Sequence, residues 1–392
     1  MSQLLNERWS ETKEALLEGL TGNRRASMGV CLENTRRSLS ESATAGSTSA
    51  GNIATLNRVI LPVIRRVMPT VIANEIIGVQ PMTGPVGQIH TLRVRYADGV
   101  ASGDTVTAGE EALSPFKIAS AYSGDNVSKA AATSTLEGTP GKRMSIQILK
   151  TPVEAKSRKL SARWTFEAAQ DAQAQQGIDI EAEIMAALAQ EITAEIDQEI
   201  LASLRSLASV EETYDQSLVS GTATFVGDEH AALAIQINRV SNLIAQRTRR
   251  GAGNWAVVSN QALTILQSAT TSAFARTTEG TFEAPTNTKF VGTLNGAMRI
   301  YVDSYLVDTG ADNNQVLIGY KGPSEADAAA FYCPYIPLMS SGVVLDPATF
   351  EPVVGFLTRY GYVELSNTAS SLGNAADYLG KVAITAANVS FR

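Results

Sequence analysis

The longest regular hydrophobic pattern in the chain lies between Gly177 and Leu207. Seven apolar residues recur there at a spacing of four, namely Ile180, Ile184, Leu188, Ile192, Ile196, Ile200 and Leu204. A spacing of four advances about 40° around a helix at each step, so the apolar stripe winds around the helix axis. Because the stretch has no Pro and no interior Gly, it predicts one helix roughly 42 Å long whose parts are covered by different elements.

The charges of this predicted helix are all of one sign before its last turn. Its acidic residues are Asp179, Glu181, Glu183, Glu191, Glu195, Asp197 and Glu199, and no Lys or Arg precedes Arg205. A basic stretch comes before the helix, made of Lys142, Arg143, Lys150, Lys156, Arg158, Lys159 and Arg163. Two adjacent runs of opposite charge favour contact between them, within one chain or between copies of it. The alternative is that each run is a solvated face.

Alternation of apolar and polar residues predicts strands at residues 88–96 and 144–149. Between them, glycines and small polar residues dominate, and few large apolar side chains are present. The two strands therefore predict a long hairpin that projects from the body and becomes ordered when it lies across a neighbour. Residues 1–57 are too sparsely apolar for a core of their own, so we expect them to pack on another part of the chain or on a neighbouring subunit.

The later part of the chain alternates between helix and strand patterns, as in a compact α/β lobe over residues 211–345. Asp228 is placed to cap a helix, and Ser259 follows a predicted strand at residues 255–258 and is placed to cap a second helix. Asn295-Gly296 between two apolar runs predicts a hairpin. Further extended segments are predicted at residues 316–318, 331–338, 353–362 and 382–391.

Composition narrows the class of protein. With 392 residues, 44% hydrophobic and 18% charged, the chain can form a sizeable core in two or three domains. A net charge of −7 argues against a protein whose main task is to grip a phosphate backbone. No apolar run has the length of a membrane span, and the N-terminus has no apolar signal core. Two isolated cysteines, Cys31 and Cys333, indicate folding without a disulfide framework in a reducing compartment.

Motifs of catalysis are missing from the sequence. The chain has two histidines, His90 and His230, whereas hydrolytic triads and many metal sites need this residue. Gly141-Lys142 is followed by Arg143, which breaks the Walker pattern, and no G-x-S-x-G elbow occurs. Cys333 is interpreted as a small buried apolar residue. We therefore assign no catalytic, cofactor-binding or metal-ligating residue and predict that the protein is not an enzyme and needs no cofactor.

Seven stretches form an ordered set of motifs. Two of them are Val67-Met68-Pro69 and Thr358-Arg359-Tyr360-Gly361. The others lie at residues 78–85, 154–160, 290–296, 319–322 and 331–338. In these stretches the chain resembles the major capsid proteins of T-even-type tailed phages. They occur in family order from about residue 58 to the C-terminus, while the first 57 residues and the projecting loop match poorly. The resemblance implies an α+β fold, the Johnson fold shared by tailed-phage and herpesvirus shells.

That resemblance also implies a division of the chain into named parts. They are an N-terminal arm (1–57), a first part of the peripheral domain (58–90), an extended loop (91–160), a spine helix of the peripheral domain (161–210), an axial domain (211–340) and a second part of the peripheral domain (341–392). In this arrangement the first and last strands pair. The relatives carry an insertion domain in the axial region, for which residues 255–290 are too short.

The implied function is that of a structural subunit of a phage head. Hexamers and pentamers of the chain would tile an icosahedral or prolate shell that encloses double-stranded DNA without reading its sequence. Portal, scaffold, vertex or decoration proteins are the expected partners, with no membrane involved. We expect the protein in the virion capsid after assembly in the host cytoplasm. Relatives lose an N-terminal segment to a maturation protease, whereas here we expect the arm to be retained from Met1.

Within such a shell, the two charged runs become candidate contacts between subunits. The residues singled out are Lys142, Arg143, Lys156, Arg158, Lys159, Glu191 and Glu195. Alternative functions are a vertex paralogue that forms pentamers alone, a cellular shell protein of the same fold, or a soluble α/β enzyme or ligand-binding protein. Copy number and particle size distinguish these classes.

Overall fold

The structure, a computed structural model, describes residues 9–10, 13–45, 71–99, 106–109, 112, 122–124, 130–138, 141–176, 179–219, 226–248, 250–269, 274–276, 289–306, 314–324, 327–346, 348–349, 351–365 and 375–385. Helices and sheets are mixed throughout, which confirms the predicted α+β class. The chain divides into two compact units. The first comprises residues 1–87, 153–202 and 331–363, and the second comprises residues 88–152, 203–330 and 364–392.

The helices and strands follow one another along the chain with the following bounds. The helices are α1 (Gly22–Ala45), α2 (Ala73–Ile76), α3 (Thr133–Leu136), α4 (Phe166–Gln176), α5 (Ile180–Leu207), α6 (Gln216–Val219), α7 (Val226–Thr248) and α8 (Asn260–Ser268). The strands are β1 (Gly78–Val79), β2 (Val86–Tyr96), β3 (Met144–Glu154), β4 (Lys156–Arg163), β5 (Val210–Tyr214), β6 (Trp255–Val258), β7 (Phe274–Arg276), β8 (Lys289–Leu294), β9 (Met298–Val302), β10 (Gln315–Gly319), β11 (Ala330–Leu345), β12 (Pro352–Glu364) and β13 (Leu379–Ile384).

The predicted long helix is α5, and its 28 residues form one uninterrupted element. Asp179 begins it, because its carboxylate accepts a hydrogen bond of 3.1 Å from the backbone N–H of Glu181. Acidic residues in the first turn and Arg205 in the last turn complement the helix dipole. The apolar stripe is buried from Leu188 to Leu204, with no member more than 9% exposed. The sequence pattern therefore identified both the helix and its buried face.

A second buried row lies beside that stripe and includes polar residues. Met185, Ala189, Thr193, Asp197 and Leu201 follow the same spacing of four and are all buried. Thr193 is accommodated because its hydroxyl donates to the carbonyl oxygen of Ala189, at 2.8 Å. Asp197 belongs to the acidic run of this helix, which the alternative interpretation treats as a solvated face, but the structure buries it. Its side chain is 1% exposed.

In the first unit, a four-stranded sheet has the order β1-β11-β12-β4. β1 pairs in parallel with β11, and β4 pairs antiparallel with β12 over eight residue pairs from Arg163↔Val353 to Lys156↔Tyr360. Helix α1 packs within the same unit, since the Asn34 side-chain amide donates to the carbonyl oxygens of Met82 at 2.6 Å and Tyr335 at 3.0 Å. The arm therefore packs on its own chain through α1.

The second unit contains a seven-stranded sheet of order β5-β13-β10-β6-β9-β8-β7. Helix α7 supplies much of its core through Leu233, Ile237, Val240 and Ile244, each at most 1% exposed. The Ser259 hydroxyl accepts from the backbone N–H of Ala262 at 3.2 Å, which confirms it as the cap of α8. Asn295 and Gly296 adopt φ values of 53° and 69° between β8 and β9, which confirms the predicted hairpin.

Strand pairing differs from expectation at the C-terminal end. β13 pairs antiparallel with β10 and parallel with β5, so the expected pairing of the first and last strands is wrong. Residues 364–392 accordingly belong to the second unit, while residues 331–340 belong to the first because β11 continues unbroken through them. Residues 153–160 also belong to the first unit, since β4 pairs with β12. Which unit plays the peripheral role and which the axial role stays a prediction.

Candidate functional site

Arg158 brings the basic and acidic runs together within the first unit. It lies on β4, and its guanidinium donates from Nη1 to Glu195 Oε2 at 2.6 Å and from Nη2 to Glu199 Oε2 at 2.5 Å. Its Nε donates to the Tyr360 hydroxyl on β12 at 2.6 Å, and that hydroxyl donates in turn to Glu199. We call these four residues the Arg158 cluster. The helix spacing of four places both carboxylates on the side of α5 that receives the guanidinium.

The electrostatics of the Arg158 cluster favour its charged form. Burial alone would raise the pKa of Glu199, but hydrogen bonds from Tyr360 and Arg158 lower that pKa overall. For Arg158, burial opposes the charge, yet its bonds to Glu199 and Tyr360 raise its pKa. Burial and the bond to Glu199 raise the pKa of Tyr360, so that its hydroxyl stays protonated as a donor. Arg158 and Glu199 therefore form an ion pair, to which Tyr360 contributes as a protonated donor.

The other candidate residues are distributed over both units and are mostly exposed. Lys156 and Lys159 flank Arg158 on β4, and both are exposed. Glu191 is exposed on α5, and neither it nor Lys159 forms an ion pair among the described residues. The structure therefore joins Arg158 and Glu195 inside one chain and leaves Glu191 and Lys159 facing solvent. A role for the seven residues between subunits stays a prediction.

Lys142 and Arg143 lie in the second unit, at the start of β3. Arg143 pairs with Asp98 at 3.3 Å, and its side chain is 78% exposed. The backbone and side chain of Arg143 donate to the Asp98 carboxylate, and these bonds lower the pKa of Asp98. The Lys142 ammonium lies 5.7 Å from the centre of the Tyr122 ring, within range of a cation–π contact. Both cations therefore lie at the end of the β2–β3 ribbon where the loop joins its two strands.

The loop between β2 and β3 contains a small core that the sequence did not predict. Tyr96, Val106, Ala112 and Tyr122 are at most 7% exposed and pack together with Val94. The rings of Tyr96 and Tyr122 have centroids 4.4 Å apart. We call these residues the loop core. Val94 and Tyr96 belong to the predicted strand, whereas Val106, Ala112 and Tyr122 come from separate pieces of the Gly- and Ser-rich segment, where no periodic pattern marked them.

A row of apolar side chains on β3 is exposed. Met144, Ile146 and Ile148 are 52%, 68% and 60% exposed and alternate along the strand, so they share one face. We call them the apolar row. Among the described residues β3 pairs with β2 alone, and its other edge carries no strand. Contiguous exposed apolar residues of this kind are typical of a surface that another molecule covers.

The sequence also missed a buried ion pair at the end of α5. Arg205 Nη2 donates to Asp303 Oδ2 at 2.5 Å, and the two side chains are 11% and 0% exposed. Lys381 donates to the backbone carbonyl oxygen of Arg205 at 3.3 Å. In the sequence, Arg205 is the first basic residue of α5 and lies in its last turn, which distinguishes it from the other charged residues of the helix. Its partner could not be identified from the sequence, because Asp303 lies 98 residues away.

The described residues offer no assembly of catalytic or metal-binding type. Cys31 and Cys333 are buried, and burial raises the pKa of each thiol to about 12, which keeps them protonated and unreactive. His230 is buried with Nδ1 2.6 Å from the Ser268 hydroxyl. In the part of the chain that the structure describes, no group of three or more His, Cys, Asp or Glu is placed to hold a metal ion. No described helix is long and apolar enough to cross a membrane.

Comparison with known proteins identifies relatives over most of the chain. A family model described as "Major capsid protein Gp23" matches residues 53–139 and 127–384. The chain is 29% identical to the major capsid protein of Vibrio phage KVP40, covering 85% of this chain and 81% of that protein. It is 30% identical to the major capsid protein of Enterobacteria phage T4, covering 81% and 76%, and 30% identical to that of Salmonella phage ViI, covering 83% and 80%.

Solved structures with a similar arrangement of elements are also known. The capsid of Myoviridae phage XM1 matches 78% of this chain and 89% of that one, with 11% identity and a TM-score of 0.44. The mature capsid of bacteriophage PhiM1 matches 79% and 84%, with 13% identity and a TM-score of 0.44.

Proposed function

We propose, from the premise that this chain belongs to the family of the major capsid protein Gp23, that its copies assemble as hexamers and pentamers which tile the phage head. The chain is a structural subunit of a phage capsid shell and not an enzyme. Members of this family associate with one another to form the shell. The Johnson fold is the architecture that family membership implies, with the arm, loop, spine and two domains as predicted above.

The observation that carries the proposal is the exposed apolar row on β3. Met144, Ile146 and Ile148 are each more than half exposed on a two-stranded ribbon. Covering three such side chains would contribute on the order of 1 to 2 kcal/mol each. A partner would therefore stabilise this ribbon, and repetition of the contact around a ring would hold a capsomer together.

Charge supports a second copy of the chain as that partner. Lys142, Arg143 and Lys150 border the apolar row and are exposed, while Glu183 and Glu191 are exposed on α5. Because the same chain carries a basic surface and an acidic surface, the basic surface of one copy can bind the acidic surface of its neighbour. Of the seven candidate contacts, Lys142, Lys159 and Glu191 form no ion pair within the described residues. Arg143 would have to exchange its exposed pair with Asp98 for a partner across the interface. Lys156, Arg158 and Glu195 would then support that surface from within the subunit.

The other partners that we propose are those that any subunit of a phage head would have. The shell encloses double-stranded DNA, and a net charge of −7 suits a wall that holds the DNA only weakly. A portal, and scaffold, vertex or decoration proteins, complete the head. Assembly takes place in the host cytoplasm.

Sedimentation velocity and electron microscopy of the purified full chain test this function. We expect ring-shaped capsomers or closed particles that become more abundant with protein concentration and less abundant at high salt. The variant Ile146→Ser should reduce assembly at unchanged stability of the subunit. The matched control is Ile235→Ser, because Ile235 is also 68% exposed but lies on α7. A small oligomer of fixed size at every concentration would contradict the proposal and favour the enzyme or ligand-binding alternative.

A further inference from the structure

We infer that the loop core orders the β2–β3 ribbon in the subunit before assembly and holds the apolar row ready for a second copy, with Tyr122 as the residue that closes the loop. The inference rests on the assembly function proposed above. It replaces the expectation from sequence that this loop becomes ordered only when it lies across a neighbour.

The core has the contacts of a small folded unit. Tyr96, Val106, Ala112 and Tyr122 are 7%, 2%, 5% and 7% exposed, values typical of a domain interior. Backbone hydrogen bonds accompany them, from Gly109 N–H to the Tyr96 carbonyl oxygen and from Ala112 N–H to the Val94 carbonyl oxygen, both at 2.8 Å. Gly109 and Ala112 are therefore bound to β2 through their backbone, and Val106 and Ala112 pack on it through their side chains.

Tyr122 joins the two ends of the loop through its hydroxyl group. That hydroxyl donates to the Arg143 carbonyl oxygen at 2.5 Å and accepts from the Asp98 backbone N–H at 3.3 Å. Asp98 in turn accepts from the Arg143 backbone N–H at 2.8 Å, and Ala97 N–H donates to the Arg143 carbonyl oxygen at 3.0 Å. One side chain thus binds the residues that follow β2 and precede β3.

The loop core restricts the motion of the β2–β3 ribbon. A two-stranded ribbon without further packing is marginally stable in water, so the apolar row would sample many positions. The loop core adds a third layer of contacts and fixes the start of β3, where Met144 begins the row. Ordering then accompanies folding of the subunit, and association does not have to supply its entropy cost. A preformed surface also associates faster than one that must fold on contact.

Hydrogen exchange on the unassembled full chain tests this inference, at a concentration where sedimentation shows no particles. In the wild type, the amides of Asp98, Gly109, Ala112 and Arg143 should exchange at least about tenfold more slowly than in an unstructured peptide. Tyr122→Phe keeps the ring and loses both hydroxyl contacts, so it should reduce this protection. Tyr122→Ala should abolish the protection and slow assembly by at least about tenfold. Tyr305→Phe is the matched control, since Tyr305 is 49% exposed.

The outcomes separate this inference from the proposed function. Loop amides that exchange freely until particles form would overturn the inference while the capsid function stands. A wild-type chain with protected loop amides that never forms capsomers would contradict the function and leave the loop core intact. A Tyr122→Phe variant with unchanged loop protection and unchanged assembly would also overturn the inference. As a control for folding, slow exchange of the amides in β6 shows that the Tyr122→Ala variant still folds.

Discussion

The buried carboxylate of Asp197 accepts a hydrogen bond of 2.9 Å from the backbone N–H of Ile72. This bond attaches the segment that leads into α2 to the packed side of α5, across 125 positions in the sequence. Asp197→Ala would leave a buried N–H without its acceptor, so we expect a loss of about 1 to 3 kcal/mol in the free energy of unfolding. Urea denaturation measures it. Glu191→Ala on the exposed side of the same helix is the control, and an equal loss there would refute the assignment.

The Arg205–Asp303 pair predicts a larger effect, because Asp303 is fully buried. Arg205→Met should destabilise the protein by about 3 to 5 kcal/mol, since it leaves an uncompensated charge in the interior. Adding Asp303→Asn should restore part of this stability, as the amide oxygen still accepts from the backbone N–H of Tyr305. Arg143→Met removes a pair that is 78% exposed on the arginine side, so it should destabilise the protein far less than Arg205→Met. Thermal or urea unfolding of the three variants, each compared with the wild type, checks the predicted order of destabilisation.

Glu199 predicts an acid-dependent contribution to stability. Its pKa is lowered in the folded chain by Tyr360 and Arg158 against the opposing effect of burial, so the unfolded chain binds the proton more tightly. The contribution is complete above the ordinary glutamate pKa of about 4.3 and disappears as the pH falls through the lower folded value. Unfolding of the wild type and Glu199→Gln should therefore differ most near neutral pH and converge in acid. A difference that grows in acid would contradict the Arg158 cluster.

Substitutions of Glu191 and Glu195 distinguish effects on assembly from effects on the stability of the subunit. Glu195 already pairs with Arg158 at 2.6 Å, so Glu195→Lys should weaken both the subunit and the shell. Glu191 is exposed without an ion pair among the described residues, so Glu191→Lys should slow capsomer formation and leave urea unfolding within about 0.5 kcal/mol of the wild type. Light scattering follows assembly, and Glu191→Gln should give an intermediate rate. Normal assembly of Glu191→Lys would show that this acid is only a solvated face.

The two thiols predict chemical inertness. With a pKa near 12, about one molecule in ten thousand carries a thiolate at pH 8 at either Cys31 or Cys333. Iodoacetamide should therefore leave both unmodified in the native protein and modify both after unfolding, as intact mass would show. Rapid modification of one cysteine in the native chain would place it at the surface.

The sequence determined the elements whose causes are local. The spacing of four from Ile180 to Leu204 identified α5, the Asn295-Gly296 pair fixed the β8–β9 hairpin, and Ser259 marked the start of α8. Helix period, turn conformation and capping each depend on residues a few positions apart, so they are readable without a fold. The ordered motifs also identified the family, and with it the capsid function.

Tertiary structure alone decided which charges are buried and which strands meet. Arg158 and Tyr360 are 202 positions apart, and their contact depends on the register of β4 against β12. Asp197 lies two positions from Glu195 and from Glu199, in a row with Thr193 and Leu201, and only packing shows that this row faces the interior. The loop core joins Tyr96 on β2 to Val106, Ala112 and Tyr122, which come from a segment without periodicity. Contacts between distant residues depend on where the backbone brings each side chain, and no local pattern in the sequence encodes that position.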